Sequence, residues 1–251
     1  MNKSYSLLFA FLITGLIAGN VYLFSHSSIT GKTISEESVF VSRVIDGDTL
    51  KLEDGRTIRF LNINSPEKGT PFYASSLALA KSLENKTIEV QIVGTDKYRR
   101  NLARIYYNNS YINLEIVKEG HASKFLVQES ELKKFDEAEK YAIENSLGIW
   151  KKSAYFDCFK SKTDKNKEIV ELENSCESIN IKDWVLKDES RKSYKFGNIT
   201  IGEVKLHSRE GTDNSTDIFW HSKTDVWNSD RDTLYLFEPR GEIVRYETYG
   251  Y

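Results

Sequence analysis

The chain has 251 residues, and its 35 basic and 37 acidic side chains give a formal net charge of −2. That near-balance excludes a protein that grips polyanions through a general positive field, so any such grip must come from local placement of Arg and Lys. Only two cysteines occur, Cys158 and Cys176, and without further soft ligands at suitable spacing they do not make a thiolate metal centre.

Residues 5–25 carry no charge and are long enough to cross a bilayer core as a helix, with Lys3 ahead of them. Residues 1–28 are therefore read as a signal anchor or a signal peptide. The expected location is the cell membrane, single-pass with the C-terminal domains outside, or the medium if the segment is cleaved. Residues 29–38 are polar and patternless, a linker. Export places the cysteines in an oxidising compartment, where one Cys158–Cys176 disulfide is the natural reading and two unpaired thiols the alternative.

From Val39 the pattern changes to short strands and turns. Phe40, Ser42 and Val44 alternate into a strand, Asp46-Gly47 makes a tight corner, and Leu50 and Leu52 continue on one face. Asp54-Gly55 marks a hairpin, and RTIRFLNI forms the next strand until Pro66 stops it. Residues 71–85 read as a helix, TIEVQIV (87–93) and NLARIYY (101–107) as strands, and 112–120 and 131–150 as helices ending at Gly120 and Gly148. Five strands and three helices suit a small OB-type barrel over residues 39–152, an α+β domain. Residues 153–166 look like a linker. Residues 167–251 read as strands separated by turns, which suits an all-β, immunoglobulin-like β-sandwich.

Three separated stretches hold the notable chemistry: IDGDTLKL (45–52), RFLNINSPE (59–67) and TDKYRRNLARIYY (95–107). They offer a hard-cation ligand in Asp48, a second oxygen ligand in Asn64 and a carboxylate after a rigid turn in Glu67. Arg59 and Arg100 add two guanidinium groups. A doubly charged phosphorane-like transition state needs that inventory: cations on its equatorial oxygens and a carboxylate to orient or deprotonate water.

With the helix carrying IVKEGHA and the closing EAEKYAIENSLGIW, these motifs resemble the staphylococcal nuclease (thermonuclease) family. Residues 167–251 resemble lamin-tail domains through VELEN (170–174), DWVLKDE (183–189) and the 216–244 stretch. The first resemblance implies a Ca²⁺-dependent nuclease acting on DNA or RNA and leaving 3′-phosphate ends. It implies metal ligands at Asp48, Asn64 and the Ser65 carbonyl, catalytic roles for Arg59, Glu67 and Arg100, and Tyr98 near the nucleotide. Expected partners are DNA and/or RNA and the membrane; the tail's partner is unknown and a monomer is the expected state. A non-catalytic nucleic-acid or protein binding module of the same fold is the alternative.

Three departures from the family pattern stand out. Asn64 replaces an aspartate, which removes a charge from the ligand set. Arg99 replaces a glycine and is uncomfortable if the backbone needs positive φ. The segment between Glu67 and the first helix is short, which reduces a loop beside the substrate.

Overall fold

A computed structural model describes residues 36–251, which form one unit. The signal or anchor reading of residues 1–28 falls outside the described residues; among those, no helix is long and apolar enough to cross a membrane.

The first half closes on itself because its strands alternate apolar and polar residues. Strand β1 (Glu36–Asp46) buries Val39, Val41 and Val44 and turns the residues between them outward. It pairs antiparallel with β2 (Thr49–Leu52) and β5 (Thr87–Thr95); β2 pairs with β3 (Thr57–Phe60), and β5 with β6 (Asn101–Tyr107). A parallel pairing of β3 with β6 completes a five-stranded barrel. Leu50, Ile58, Val90, Ala103 and Ile105 fill it with no exposed surface. Each buried aliphatic side chain contributes about 1.5–3 kcal/mol.

The RTIRFLNI stretch is not one strand. It breaks after Phe60, where Asn62 adopts a left-handed φ of 67°, and resumes as β4 (Ile63–Asn64), paired with β8 (Ser123–Lys124). Between β6 and β8 lies the short β7 (Ser110–Tyr111). The break at Asn62, a residue type that tolerates this region, redirects the chain, and the Ser65 amide then reaches Asp48.

Helix α1 (Tyr73–Lys81) is shorter than the expected 71–85. Helix α2 (Ile112–Lys118) is followed by Gly120, with φ 73°. Helix α3 (Glu129–Glu144) starts before the expected 131 and stops before 150; a separate 3₁₀ turn covers Gly148–Trp150. The reason is close backbone approach. Ile149 N–H donates to the Gly120 carbonyl at 2.9 Å, and a Cβ on Gly148 would lie 2.1 Å from that oxygen.

The second half begins earlier than its sequence suggests. Strand β9 (Phe159–Asp164) lies inside the expected 153–166 linker and pairs with β10 (Ile169–Asn174). Its polar, edge-facing FKSKTD sequence hides the strand from a hydrophobicity reading. Cys158 and Cys176 are joined by a disulfide at the edge of this pair. After β11 (Ile179–Asn180) come β12 (Val185–Lys187), β13 (Ser193–Lys195), β14 (Thr200–Ile201), β15 (Glu203–His207), β16 (Asp217–Phe219), β17 (Asp232–Phe237) and β18 (Ile243–Tyr249). Two four-stranded sheets, β16-β15-β10-β9 and β13-β12-β17-β18, enclose Phe159, Val170, Leu186, Leu236 and Val244. Trp184 and Trp227 are buried there and serve packing.

The two halves share a core. Trp150 packs against Tyr235 and Tyr246 with ring centroids 5.9 and 5.6 Å apart. Ile243 donates to the Lys151 carbonyl at 2.8 Å and accepts from Ser153 N–H at 2.9 Å. A Cβ on Gly241 would lie 2.2 Å from Pro71, so the tail touches the loop after Glu67.

Candidate active site

Asp48 sits on the β1–β2 corner, set by the Asp46 carboxylate accepting its N–H at 3.1 Å. Gly47 makes the corner possible: a Cβ there would lie 2.9 Å from Ser65 Cβ and 3.0 Å from Ser76 Cβ. The Asp48 carboxylate is 1% exposed. Its Oδ2 accepts from Ser65 N–H at 2.8 Å and meets Arg59 at 3.1 Å; its Oδ1 accepts from the Thr49 hydroxyl at 3.1 Å.

Burial alone would raise the Asp48 carboxyl. The Arg59 charge, the Ser65 amide and the Arg191 charge outweigh it and hold the group below the usual carboxylate range. Asp46 moves the other way, raised by burial and by the Asp48 charge. Arg59 is itself buried. It donates to the Phe60 carbonyl at 2.8 Å and to Asn64 Oδ1 at 3.3 Å. Burial pushes its pKa down, Asp48 opposes this, and the Arg191 and Arg100 charges add to the downward push.

Asn64, Ser65 and Glu67 follow on the redirected chain after β3. Asn64 and Ser65 are buried, whereas the Glu67 side chain is half exposed. The Glu67 carbonyl accepts from Thr70 N–H at 3.0 Å and from the Thr70 hydroxyl at 2.6 Å, a turn that fixes the carboxylate after Pro66.

Arg100 is held by partners of its own, near enough for its charge to act on Arg59. Its Nε donates to Asp96 Oδ2 at 2.7 Å, and its guanidinium lies 5.4 Å from the Tyr98 ring centroid. Tyr98 is 67% exposed on the rim. The carboxylate of Asp96 also accepts from the Tyr98 and Arg100 amides at 2.8 and 2.9 Å, which shapes the loop. Arg99 occupies the glycine-like position with φ 64°, so the sequence expectation of an awkward backbone there agrees with the conformation.

The tail domain supplies a residue that sequence reasoning missed. Arg191, on the turn between β12 and β13, donates from Nε to Asn64 Oδ1 at 2.6 Å and from Nη2 to Asp48 Oδ2 at 3.2 Å, and it ion-pairs with Glu67. Asn64 Nδ2 donates to the Glu189 carbonyl on the same turn at 3.0 Å. KDESRKS (187–193) reads as an ordinary charged hairpin, and no sequence signal marks it as part of a site in the other half.

Among the described residues no group of three or more His, Cys, Asp or Glu side chains is placed to hold a metal ion. The convergent set here is oxygen-only and mixed: the Asp48 carboxylate, the Asn64 amide oxygen and the Glu67 carboxylate. All three take one guanidinium as a shared cationic partner, so the donor set fits a hard divalent cation. Beside it, a cavity of about 550 Å³ separates the Glu67–Phe72 loop from Tyr235 and Phe237 of the tail. Lys187 borders this cavity, 5.0 Å from the Tyr235 ring centroid, and burial pushes its amine down to about 8.

A family described as staphylococcal nuclease homologue matches residues 57–152, and the lamin tail domain family matches 157–251. The chain is 32% identical over 130 residues to a thermonuclease of Staphylococcus intermedius, covering 46% of this chain and 77% of that protein. It is 33% identical over 115 residues to an uncharacterized endonuclease of Haemophilus influenzae, covering 44% of this chain and 64% of that protein. An uncharacterized endonuclease of Escherichia coli O157:H7 is 37% identical over 87 residues, 33% of this chain and 57% of that protein.

Proposed function

The chain belongs to the staphylococcal nuclease family, and from that premise we propose that it hydrolyses phosphodiester bonds of DNA or RNA with a divalent cation, Ca²⁺ in this reading. The observation that carries the proposal is the focus at which Asp48, Asn64 and Glu67 share a cationic partner while Arg59, buried on β3, contacts Asp48 and Asn64.

Asp48, Asn64 and the Ser65 carbonyl would hold the cation, which when bound neutralises phosphate charge and polarises the attacking water. Asp48 is suited to this because its neighbours keep it ionised despite burial. Glu67, half exposed at the mouth, accepts the proton of the water as it attacks phosphorus. Arg59 donates to a non-bridging oxygen from a site that excludes water, where a planar fork that stays protonated is most effective. Arg100, braced by Asp96, approaches from the rim beside Tyr98. Departure of the 5′-oxygen leaves a 3′-phosphate.

Export through residues 1–28, as an anchor or a cleaved signal, belongs to the same reading. The Cys158–Cys176 disulfide supports it, because such bonds persist in oxidising compartments. The test is release of acid-soluble nucleotides from single- and double-stranded substrates with and without Ca²⁺. Turnover that survives both Ca²⁺ removal and Glu67→Gln defeats the mechanism.

A further inference from the structure

Resting on the nuclease reading above, we propose that the Arg191 guanidinium and the divalent cation are alternative occupants of one position. The tail domain thereby latches the site until a cation displaces the arginine.

Arg191 engages Asp48 Oδ2, Asn64 Oδ1 and Glu67, the side-chain oxygens that the cation and its attacking water require. Arg59 and Arg191 already meet on Asp48 Oδ2 and Asn64 Oδ1, so a divalent cation added there crowds three like charges where water is scarce, and Arg191, the more exposed of the two arginines, is the one that can withdraw. With the turn in place, Asp48, Arg59, Asn64 and Ser65 are each 6% exposed or less, which leaves a substrate phosphate no route to Arg59.

Asn64 is matched to the latch. Its amide accepts from Arg191 Nε and donates to the Glu189 carbonyl. An aspartate could accept from the arginine but would oppose the carbonyl. The departure from the family's aspartate therefore falls at a position that both accepts from and donates to the tail.

The turn is built to present the arginine. Glu189 N–H donates to Asp232 at 3.2 Å, Lys192 N–H donates to Asp188 at 2.7 Å, and Arg191 itself adopts φ 86°. A side-chain-bearing residue is disfavoured in that left-handed region, and such strain persists where surrounding contacts over-determine it. Withdrawal of Arg191 removes a positive charge from between Asp48 and Glu67 and frees their oxygens for a cation, with Arg59 still on Asp48 and the Arg100 and Lys187 charges nearby.

Calorimetric titration of the chain with Ca²⁺ tests the idea without any turnover. Arg191→Ala is expected to bind Ca²⁺ at least tenfold more tightly than the parent, with Arg191→Lys between them. In the parent, ¹⁵N NMR should show the bonded Arg191 Nε–H resonance moving to the free-arginine position as Ca²⁺ saturates. Equal or weaker Ca²⁺ binding by Arg191→Ala, no binding by either protein, or an Arg191 resonance unmoved at saturation overturns the latch. If Arg191→Ala does not fold, the parent's resonance decides alone. Nuclease activity at saturating Ca²⁺ that falls in Arg191→Ala also overturns it, making Arg191 a phosphate ligand instead. Cation competition in a protein with no turnover would remove the nuclease reading and leave the latch standing.

Discussion

Arg191 Nε donates to Asn64 Oδ1 at 2.6 Å across 127 positions of sequence. The bond joins the tail domain to the barrel at the centre of the candidate site, so stability, site geometry and cation binding are coupled through one turn.

Glu67 is half exposed and its side chain packs little, so its loss should separate chemistry from folding. Glu67→Gln is expected to lower phosphodiester hydrolysis about 10²- to 10⁴-fold and to move the melting midpoint by less than about 0.5 kcal/mol equivalent. Rates from initial-velocity assays and melts from circular dichroism check both.

Gly47 is where backbone and side chains approach most tightly beneath the site. Gly47→Ala places a methyl 2.9 Å from Ser65 Cβ and Oγ, and overpacking of this kind costs about 1–3 kcal/mol. Because Asp48 follows directly, Ca²⁺ affinity should fall along with stability. Denaturant titration and calorimetry on the same variant give the two numbers.

The shared aromatic core makes one cooperative unit of the two halves. Trp150→Ala removes a side chain packed between Tyr235 and Tyr246 and should cost about 3–5 kcal/mol. The chain from residue 36 is expected to melt in a single calorimetric transition that the variant shifts as a whole. Two independent transitions, with only one of them moved, would contradict the coupling.

Acidity acts on the latch turn through Glu189. Burial raises its carboxyl to about 7, with Tyr251 opposing, Asp232 adding to the rise, Arg231 opposing and Asp188 adding. Asp188 is raised to about 6, again chiefly by burial. A carboxyl raised in the folded state binds more protons than when unfolded, so its stabilisation is complete below about pH 4.5 and is lost as pH climbs through 7. Thermal stability should decline between pH 5 and 8 by an amount on the order of 2 kcal/mol, and Glu189→Gln should flatten that decline. Melts of both proteins across this range supply the check.

Much of the barrel is legible because strand and turn signals are written locally, as at the Asp54-Gly55 turn between β2 and β3. The face expected for β1, Phe40-Ser42-Val44, is not the buried one: Val39 and Val41 point inward, and a register shift between Val41 and Arg43 brings Val44 to their side. Asp48 and Arg59, expected to act together, do meet, since each lies at a fixed register in that barrel. The continuous strand expected over residues 56–63 is broken after Phe60. Asn62's left-handed backbone is set by where β8 lies, and no local pattern records that. Strand β9 was missed for a related reason: an edge strand rich in Lys, Ser and Asp reads as a linker until its partner is known.

Residue order alone thus determined the two folds, the acidic corner, and the arginine and carboxylate motifs, because each depends on short-range periodicity and turn chemistry. Only the tertiary structure decided that Arg191 enters the site, that Asn64 faces two domains, and that Arg100 rests on Asp96 at the rim. Such pairings depend on how two finished surfaces dock, and that is a property of shape and charge in space rather than of spacing along the chain.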